Sequence, residues 1–376
     1  MKKILIFYAS YGSGHKTVAN YIYNSLKEKD YDVSIIDLLD YSNFVGKVST
    51  FLFNLNIKYK SSLIYSGLYK LFDNKVTTKP YKSVFKKIIN TSLLENRIIE
   101  FEPDLIISTH FFGTTIKSIL DEKGLINSKL ISIITDYTSH ELWEKDDKDN
   151  DYYVVANKMI KNSLVSKGVD KNKIFDYGIP VSNIFKHIDD NRLLKRKFKV
   201  NNTLKTILFF GGGSLGSNYT YHYLRRLLEC NYECNIIFVC GKNIKLKKKC
   251  DEYLKNNYKE NVLIYGFTNE VNSLISIADF VITKPGGISV TECLNIGVPL
   301  LLIPGNGGQE VYNAKYVIKN GFGTYARNSK SLCKIVNKLL ESDRYLEKYK
   351  KNIMRYGHNN SLDKLEKLVD KTLRDK

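Results

Sequence analysis

The sequence predicts an α/β protein of two doubly wound, Rossmann-like domains, each a parallel sheet with helices on both faces. Three observations predict it. Short apolar runs alternate with helix-length amphipathic segments from end to end, the pattern of βα units around parallel sheets. A length of 376 residues suits two domains of ordinary size, each able to bury its own core. Near residues 180–203 the alternation pauses. Gly178-Ile179-Pro180-Val181 ends one unit there, and a charged stretch from Asp189 to Lys199 precedes the next, as at a hinge.

In the first half, strands are expected at Ile4–Ala9, Val33–Asp37, Asp104–Ser108, Leu130–Ile134, Tyr152–Ala156 and Ile174–Tyr177. In the second they are expected at Thr206–Phe210, Asn235–Cys240, Asn261–Tyr265, Asp279–Thr283, Pro299–Ile303 and Gly323–Ala326. This places one domain at residues 1–190, a second at 200–350 and a terminal helix at 351–376. Ligands of open parallel sheets bind beyond the carboxyl ends of the strands. Two such domains set face to face make a cleft, and the motifs below all follow strands.

Composition narrows the class. Apolar residues make up 43% and charged residues 26% of the chain, as in a globular protein. No run approaches the ~20 apolar residues that span a bilayer. The opening MKKILIFYAS has a basic start, but its apolar run stops at Ala9 and leads into a glycine turn. It reads as a first strand rather than a signal peptide, with the protein expected in the cytoplasm. The six cysteines all lie in the second half without a Cys-x-x-Cys pair, so reduced, mostly buried thiols are expected rather than a zinc site. The formal charge of +19 has two readings. One is an AT-rich codon bias that favours lysine over arginine. The other is a preference for anionic partners such as a nucleotide, nucleic acid or an acidic membrane surface, and net charge alone does not choose between them. No nucleic-acid recognition motif accompanies it.

One segment departs from the alternation. Residues 41–100 carry ten Lys/Arg against three acids, interleaved with Phe44, Phe51, Phe53, Tyr59, Tyr65, Tyr69, Phe72, Tyr81 and Phe85. Basic and aromatic residues mixed at helical spacing suit an interfacial helix resting on anionic lipid.

Four motifs can carry chemistry. Tyr11-Gly12-Ser13-Gly14-His15 follows the first strand and opens a helix whose buried stripe is Val18, Ile22 and Leu26. At a helix N-terminus the dipole disfavours imidazolium, so His15 is a candidate base at neutral pH. The Gly-x-Gly also invites a dinucleotide reading with Asp37 as the ribose acid, but Thr17 and Val18 stand where a third glycine is needed. Gly211-Gly212-Gly213-Ser214-Leu215-Gly216 follows the seventh strand. Its amides suit a phosphate, and without a following Gly-Lys-Ser/Thr it is not a Walker loop.

The third motif, Lys284-Pro285-Gly286-Gly287-Ile288-Ser289-Val290-Thr291-Glu292, hands a strand over to a helix whose first N–H groups favour a diphosphate. Glu292, about a turn inside, can accept hydrogen bonds from both ribose hydroxyls of a nucleotide. The fourth is Pro304-Gly305-Asn306-Gly307-Gly308-Gln309-Glu310 with Asn313 and Ala314. It offers the donors and acceptors that sugar hydroxyls require. Near the first-domain strand ends, Thr135-Asp136-Tyr137, His140 and Trp143 follow strand four, and His110 follows strand three. Asp136 can orient His15 or act as the base itself, and Trp143 offers an aromatic face to a sugar or acylglycerol. The acidic run Asp146 to Asp151 has no apolar strand before it and reads as a solvated turn, not a metal site.

Together these residues resemble the family-28 inverting glycosyltransferases of GT-B fold. Within them the nearest branch is that of bacterial processive diacylglycerol glucosyltransferases and plant monogalactosyldiacylglycerol synthases. The resemblance runs over nearly the whole chain. It rests on Tyr-Gly-x-Gly-His, Thr-Asp-Tyr with a following His and Trp, Gly-Ile-Pro-Val, Val-Cys-Gly-Lys-Asn (239–243), Lys-Pro-Gly-Gly-Ile and Gly-Gln-Glu with Asn-Ala. It implies transfer of glucose or galactose from a UDP-sugar to diacylglycerol, without metal or other cofactor, by a peripheral protein on the inner face of the cell membrane. On that resemblance Glu292 meets ribose, Gly286, Gly287 and Ile288 the diphosphate, and Gln309 and Glu310 the sugar, with Gly14, Gly212, Gly213, Lys284 and Asn313 around the donor. His15 or Asp136 is then the base, and His110, His140 and Trp143 stand by the acceptor. The C-terminal helix is implied to return to the first domain. A lipid-linked N-acetylglucosamine transferase of cell-wall synthesis and a UDP-sugar epimerase share this architecture and are the alternatives.

Overall fold

A computed structural model describes residues 1–43, 85, 89–139, 143, 150–186, 190–212, 217–357 and 360–375. Most of the basic-aromatic segment 41–100 lies outside the described residues. So do His140, Gly213 and the acidic run up to Asp149. The described chain forms two compact units, one running to Asn183 and resuming at Asn360, the other covering Ile184–Asn359.

The first unit is a six-stranded parallel sheet of β1 (Lys2–Tyr8), β2 (Tyr31–Asp37), β3 (Leu105–Ser108), β4 (Lys129–Ile133), β5 (Tyr152–Val154) and β6 (Ile174–Phe175). Their order is β2-β1-β3-β4-β5-β6. Ile4 of β1 lies opposite Val33 on one side and Leu105 on the other. Ile4 through Phe7 are fully buried, because helices cover both faces of a parallel sheet and leave no polar side for alternation. Helix Gly14–Lys27 turns Val18, Ala19, Ile22 and Leu26 inward, and helix Phe111–Glu122 lies between β3 and β4.

The end of the chain belongs to this unit. Gly357, at φ 69°, ends helix Asp343–Tyr356 of the second unit. A final helix, Ser361–Arg374, then buries Leu362, Leu365, Leu368, Val369 and Leu373. Tyr31 donates to Asp370 at 2.6 Å, Lys29 pairs with Glu366 at 3.1 Å, and Ser361 donates to the Ile179 carbonyl at 3.0 Å. Each buried leucine contributes about 1.5–3 kcal/mol, whereas a half-exposed ion pair is worth at most ~1 kcal/mol. The apolar face therefore holds the helix.

The second unit repeats the plan with β7 (Thr206–Phe210), β8 (Asn235–Val239), β9 (Val262–Tyr265), β10 (Phe280–Thr283), β11 (Leu300–Leu302) and β12 (Gly323–Tyr325). The order is β12-β11-β10-β7-β8-β9, again all parallel. All twelve expected strands are present, with ends within about two residues of expectation. Helices Ser217–Glu229, Gly287–Ile296, Gln309–Lys319 and Ser329–Glu341 follow β7, β10, β11 and β12. The six cysteines are free thiols, five of them buried. No helix among the described residues is long and apolar enough to cross a membrane.

Strand order decides where ligands go. The winding direction reverses between β1 and β3 in one sheet and between β7 and β10 in the other. At such a point neighbouring loops part and open a crevice at the strands' carboxyl ends. Motif one follows β1, and motifs two and three follow β7 and β10.

Candidate active site

In the first unit the loop after β1 turns at Gly12, whose φ of 91° suits glycine alone. It delivers His15 to the first turn of helix Gly14–Lys27, where Ser13 makes no side-chain cap. The ring is fixed by two other strand ends. His15 Nδ1 lies 2.7 Å from the Thr109 carbonyl oxygen and 3.0 Å from Thr135 Oγ1. A carbonyl can only accept, so Nδ1 carries the hydrogen, and in a neutral ring the lone pair is left on Nε2.

Burial lowers the His15 pKa below its ordinary value of 6.5, against opposing pulls from the Asp136 carboxylate and the Thr109 carbonyl. A neutral imidazole with its free lone pair on Nε2 results. Asp136, which stands beside it partly exposed, thus acts on His15 through charge, while the ring's orientation comes from the oxygens of Thr109 and Thr135.

The other first-unit candidates sit deeper than expected. His110 is buried and caps helix Phe111–Glu122, its Nδ1 accepting from the Phe112 N–H at 3.2 Å. Its ring meets that of His15 edge to face at 4.8 Å. Trp143, expected to present its ring to an acceptor, is only 5% exposed and lies edge-on to Phe111 at 6.1 Å. Its carbonyl accepts from the Tyr153 hydroxyl at 3.0 Å, and Asn150 donates to the same hydroxyl at 2.9 Å. Ser132 in turn donates to Asn150 Oδ1 at 2.5 Å. This buried polar chain has satisfied partners, so it anchors Trp143 inward.

In the second unit, helix Gly287–Ile296 starts after β10 with Gly286 as its N-cap and no side-chain cap bond. Its first intrahelical bond is Val290 N–H to the Gly286 carbonyl at 3.0 Å. The amides of Gly287, Ile288 and Ser289 therefore form the positive end of the helix. Ile288 and Glu292 are buried on the same helix. Asn313, fully buried, donates to the Pro285 carbonyl at 3.1 Å and so ties helix Gln309–Lys319 to this turn. It was expected among ligand contacts, and here it bridges the two motifs.

Glu310 is the hub between them. One oxygen pairs with Lys284, and the other accepts from the Asn306 N–H at 2.7 Å. A Cβ at Gly305 would stand 1.9 Å from Glu310 Oε2, so a side chain there would displace the carboxylate. Gln309 opens the helix after Gly308, half-buried. Gly212 has a packing reason: a Cβ would meet the Cys240 carbonyl oxygen at 2.6 Å. Tyr219 was not singled out from the sequence. It donates to the Pro304 carbonyl at 3.2 Å and steadies the fourth motif. Among the described residues no group of three or more His, Cys, Asp or Glu could hold a metal.

Comparison with known proteins follows these two units. Residues 15–181 match the family described as monogalactosyldiacylglycerol (MGDG) synthase, and residues 206–369 match the glycosyltransferase family 28 C-terminal domain. A processive diacylglycerol beta-glucosyltransferase of Staphylococcus carnosus is 29% identical over 353 residues, covering 92% of this chain and 86% of the relative. MurG of Acinetobacter baumannii superposes with a TM-score of 0.62 at 14% identity, covering 99% of this chain and all of the other. HepE of Anabaena, solved in complex with UDP, gives 0.60 at 14% identity, with both chains fully covered. At those identities the solved structures speak for the fold, which is GT-B.

Proposed function

This chain belongs to glycosyltransferase family 28, and from that premise we propose that it moves a hexose, glucose or galactose, from a UDP-sugar to the free hydroxyl of diacylglycerol. The observation that carries the proposal is His15, a neutral imidazole at the β1 strand end with Nδ1 engaged and Nε2 basic. It lies in the unit that matches the lipid galactosyltransferase family.

His15 Nε2 takes the proton of the acceptor hydroxyl as its oxygen attacks the anomeric carbon. The bond from that carbon to the diphosphate oxygen breaks on the opposite face, giving a β-glycoside and UDP. As in glycoside hydrolysis, positive charge grows on the sugar ring in the transition state. Negative charge growing on the leaving diphosphate meets the amides of Gly287 to Ser289 and the Lys284 ammonium. Glu292 takes the ribose hydroxyls, and Gln309 with Glu310 takes the sugar. This chemistry calls for no metal.

Acceptor and product are membrane lipids, and the excess of basic over acidic residues at 41–100 fits a peripheral protein on an anionic inner leaflet. The test is lipid product from radiolabelled UDP-glucose and UDP-galactose with diacylglycerol in mixed micelles. Product from neither donor sinks the proposal. A product made only with undecaprenyl acceptors reassigns the chain to cell-wall synthesis, and donor conversion without any acceptor reassigns it to epimerisation.

A further inference from the structure

Thr109 and Thr135 have no assigned part in the reaction, yet both reach the ring of His15 from different strands. Thr109 is fully buried and tied both to β1 and to the helix that follows it. Its N–H donates to the Phe7 carbonyl at 3.0 Å, and its hydroxyl lies 3.1 Å from the His15 carbonyl and 3.3 Å from that of Phe7. Its own carbonyl accepts from His15 Nδ1. Main chain and ring of His15 are thus both held by one residue of the neighbouring strand end.

That bond alone leaves the ring free to rock about the Cβ–Cγ axis. Thr135, at the end of β4, puts a second oxygen 3.0 Å from the same nitrogen. Rotation by half a turn would face a carbon toward both oxygens and lose both contacts.

We propose that Thr135 is a positioning residue: the Thr109 carbonyl holds His15 in the Nδ1–H tautomer, and the Thr135 hydroxyl accepts from the same nitrogen and so aims Nε2 as the base. The proposal rests on the reading of His15 as the base. When Nε2 takes a proton the ring becomes a cation, and its Nδ1–H bond to two oxygens strengthens. Thr135 therefore acts most in the transition state and little in binding of the UDP-sugar, which is held by the other unit. The neighbouring Asp136 carboxylate bears on the ring's charge, and His110 packs edge to face against it, but neither decides which nitrogen faces the threonines.

The experiment has two readouts. In protein labelled with ¹⁵N-histidine, the signal lost in His15→Gln identifies His15. It should show a protonated Nδ1 and an unprotonated Nε2 at neutral pH, and the opposite tautomer overturns the proposal whatever any variant does. In kinetics, Thr135→Val, which keeps the shape and removes the hydroxyl, should lower kcat by about 10- to 100-fold with KM for the donor nearly unchanged. Thr135→Ser should restore most of the loss. A Thr135→Val enzyme with wild-type kcat, or one that Ser does not rescue, overturns it. If His15→Ala keeps full activity, the reading of His15 as base fails instead. An inactive His15→Ala beside an unimpaired Thr135→Val sinks the positioning role alone.

Discussion

Lys284 and Glu310 form an ion pair between the turn after β10 and the start of helix Gln309–Lys319, with side chains only 22% and 12% exposed. Lys284 thus lies next to the uncapped helix start, with its charge already partnered. A diphosphate arriving there competes with the Glu310 carboxylate for the ammonium. Glu310→Gln should therefore tighten UDP binding several-fold while lowering kcat, because a sugar contact is altered. Lys284→Met should weaken UDP binding about 10- to 100-fold, the worth of one charge-assisted hydrogen bond. Titration calorimetry with UDP reads both, and equal affinity in Glu310→Gln and wild type would show that carboxylate and nucleotide do not compete.

His15 sets a pH dependence whose sign follows from its burial. Its folded pKa is lowered from 6.5, so the unfolded chain binds the proton more readily. Stability then rises with pH through this window and is lost as pH falls below about 6.5. His15→Gln should flatten that part of the stability curve, read as melting temperature between pH 5 and 7. The same variant should lose about 10²- to 10⁴-fold in kcat at neutral pH, the usual range for removing a general base.

Two glycines separate packing from binding. A Cβ at Gly212 meets a backbone carbonyl at 2.6 Å, whereas at Gly286 the nearest atom is Lys284 Cε at 3.9 Å. Gly212→Ala should destabilise by about 1–3 kcal/mol, as overpacking does. Gly286→Ala should leave stability within about 0.5 kcal/mol yet weaken UDP binding, since its methyl group enters the space before the helix start. Thermal melts with and without UDP distinguish them, and a Gly286→Ala protein that binds UDP normally would remove this turn from the donor site.

The last helix offers a packing test. Leu365 is buried on the first unit while Lys29 is partly exposed. Leu365→Ala should cost about 2–5 kcal/mol, and Lys29→Ala at most ~1 kcal/mol. Near-equal melting temperatures for the two would mean that ion pairs, not apolar contact, hold the terminus.

Much of the architecture was legible in the residues. A parallel strand buried on both faces must be a short continuous apolar run, as in Ile4–Phe7 and Ile207–Phe209, and glycines at its carboxyl end mark where a helix begins. The four motifs were found for that reason. Trp143 misled because an aromatic ring is as useful inside as at a sugar face, and nothing nearby in sequence shows that Tyr153 and Asn150 draw it inward.

Strand runs, turn glycines and the helix starts they announce are local properties, so the chain's order alone determined the two α/β units and the strand ends that carry the motifs. The partners of His15 were not local. Thr109 and Thr135 are 94 and 120 residues away, and they reach its ring only because β1, β3 and β4 lie side by side. Sheet order is settled by long-range packing, and it assigned the basic nitrogen.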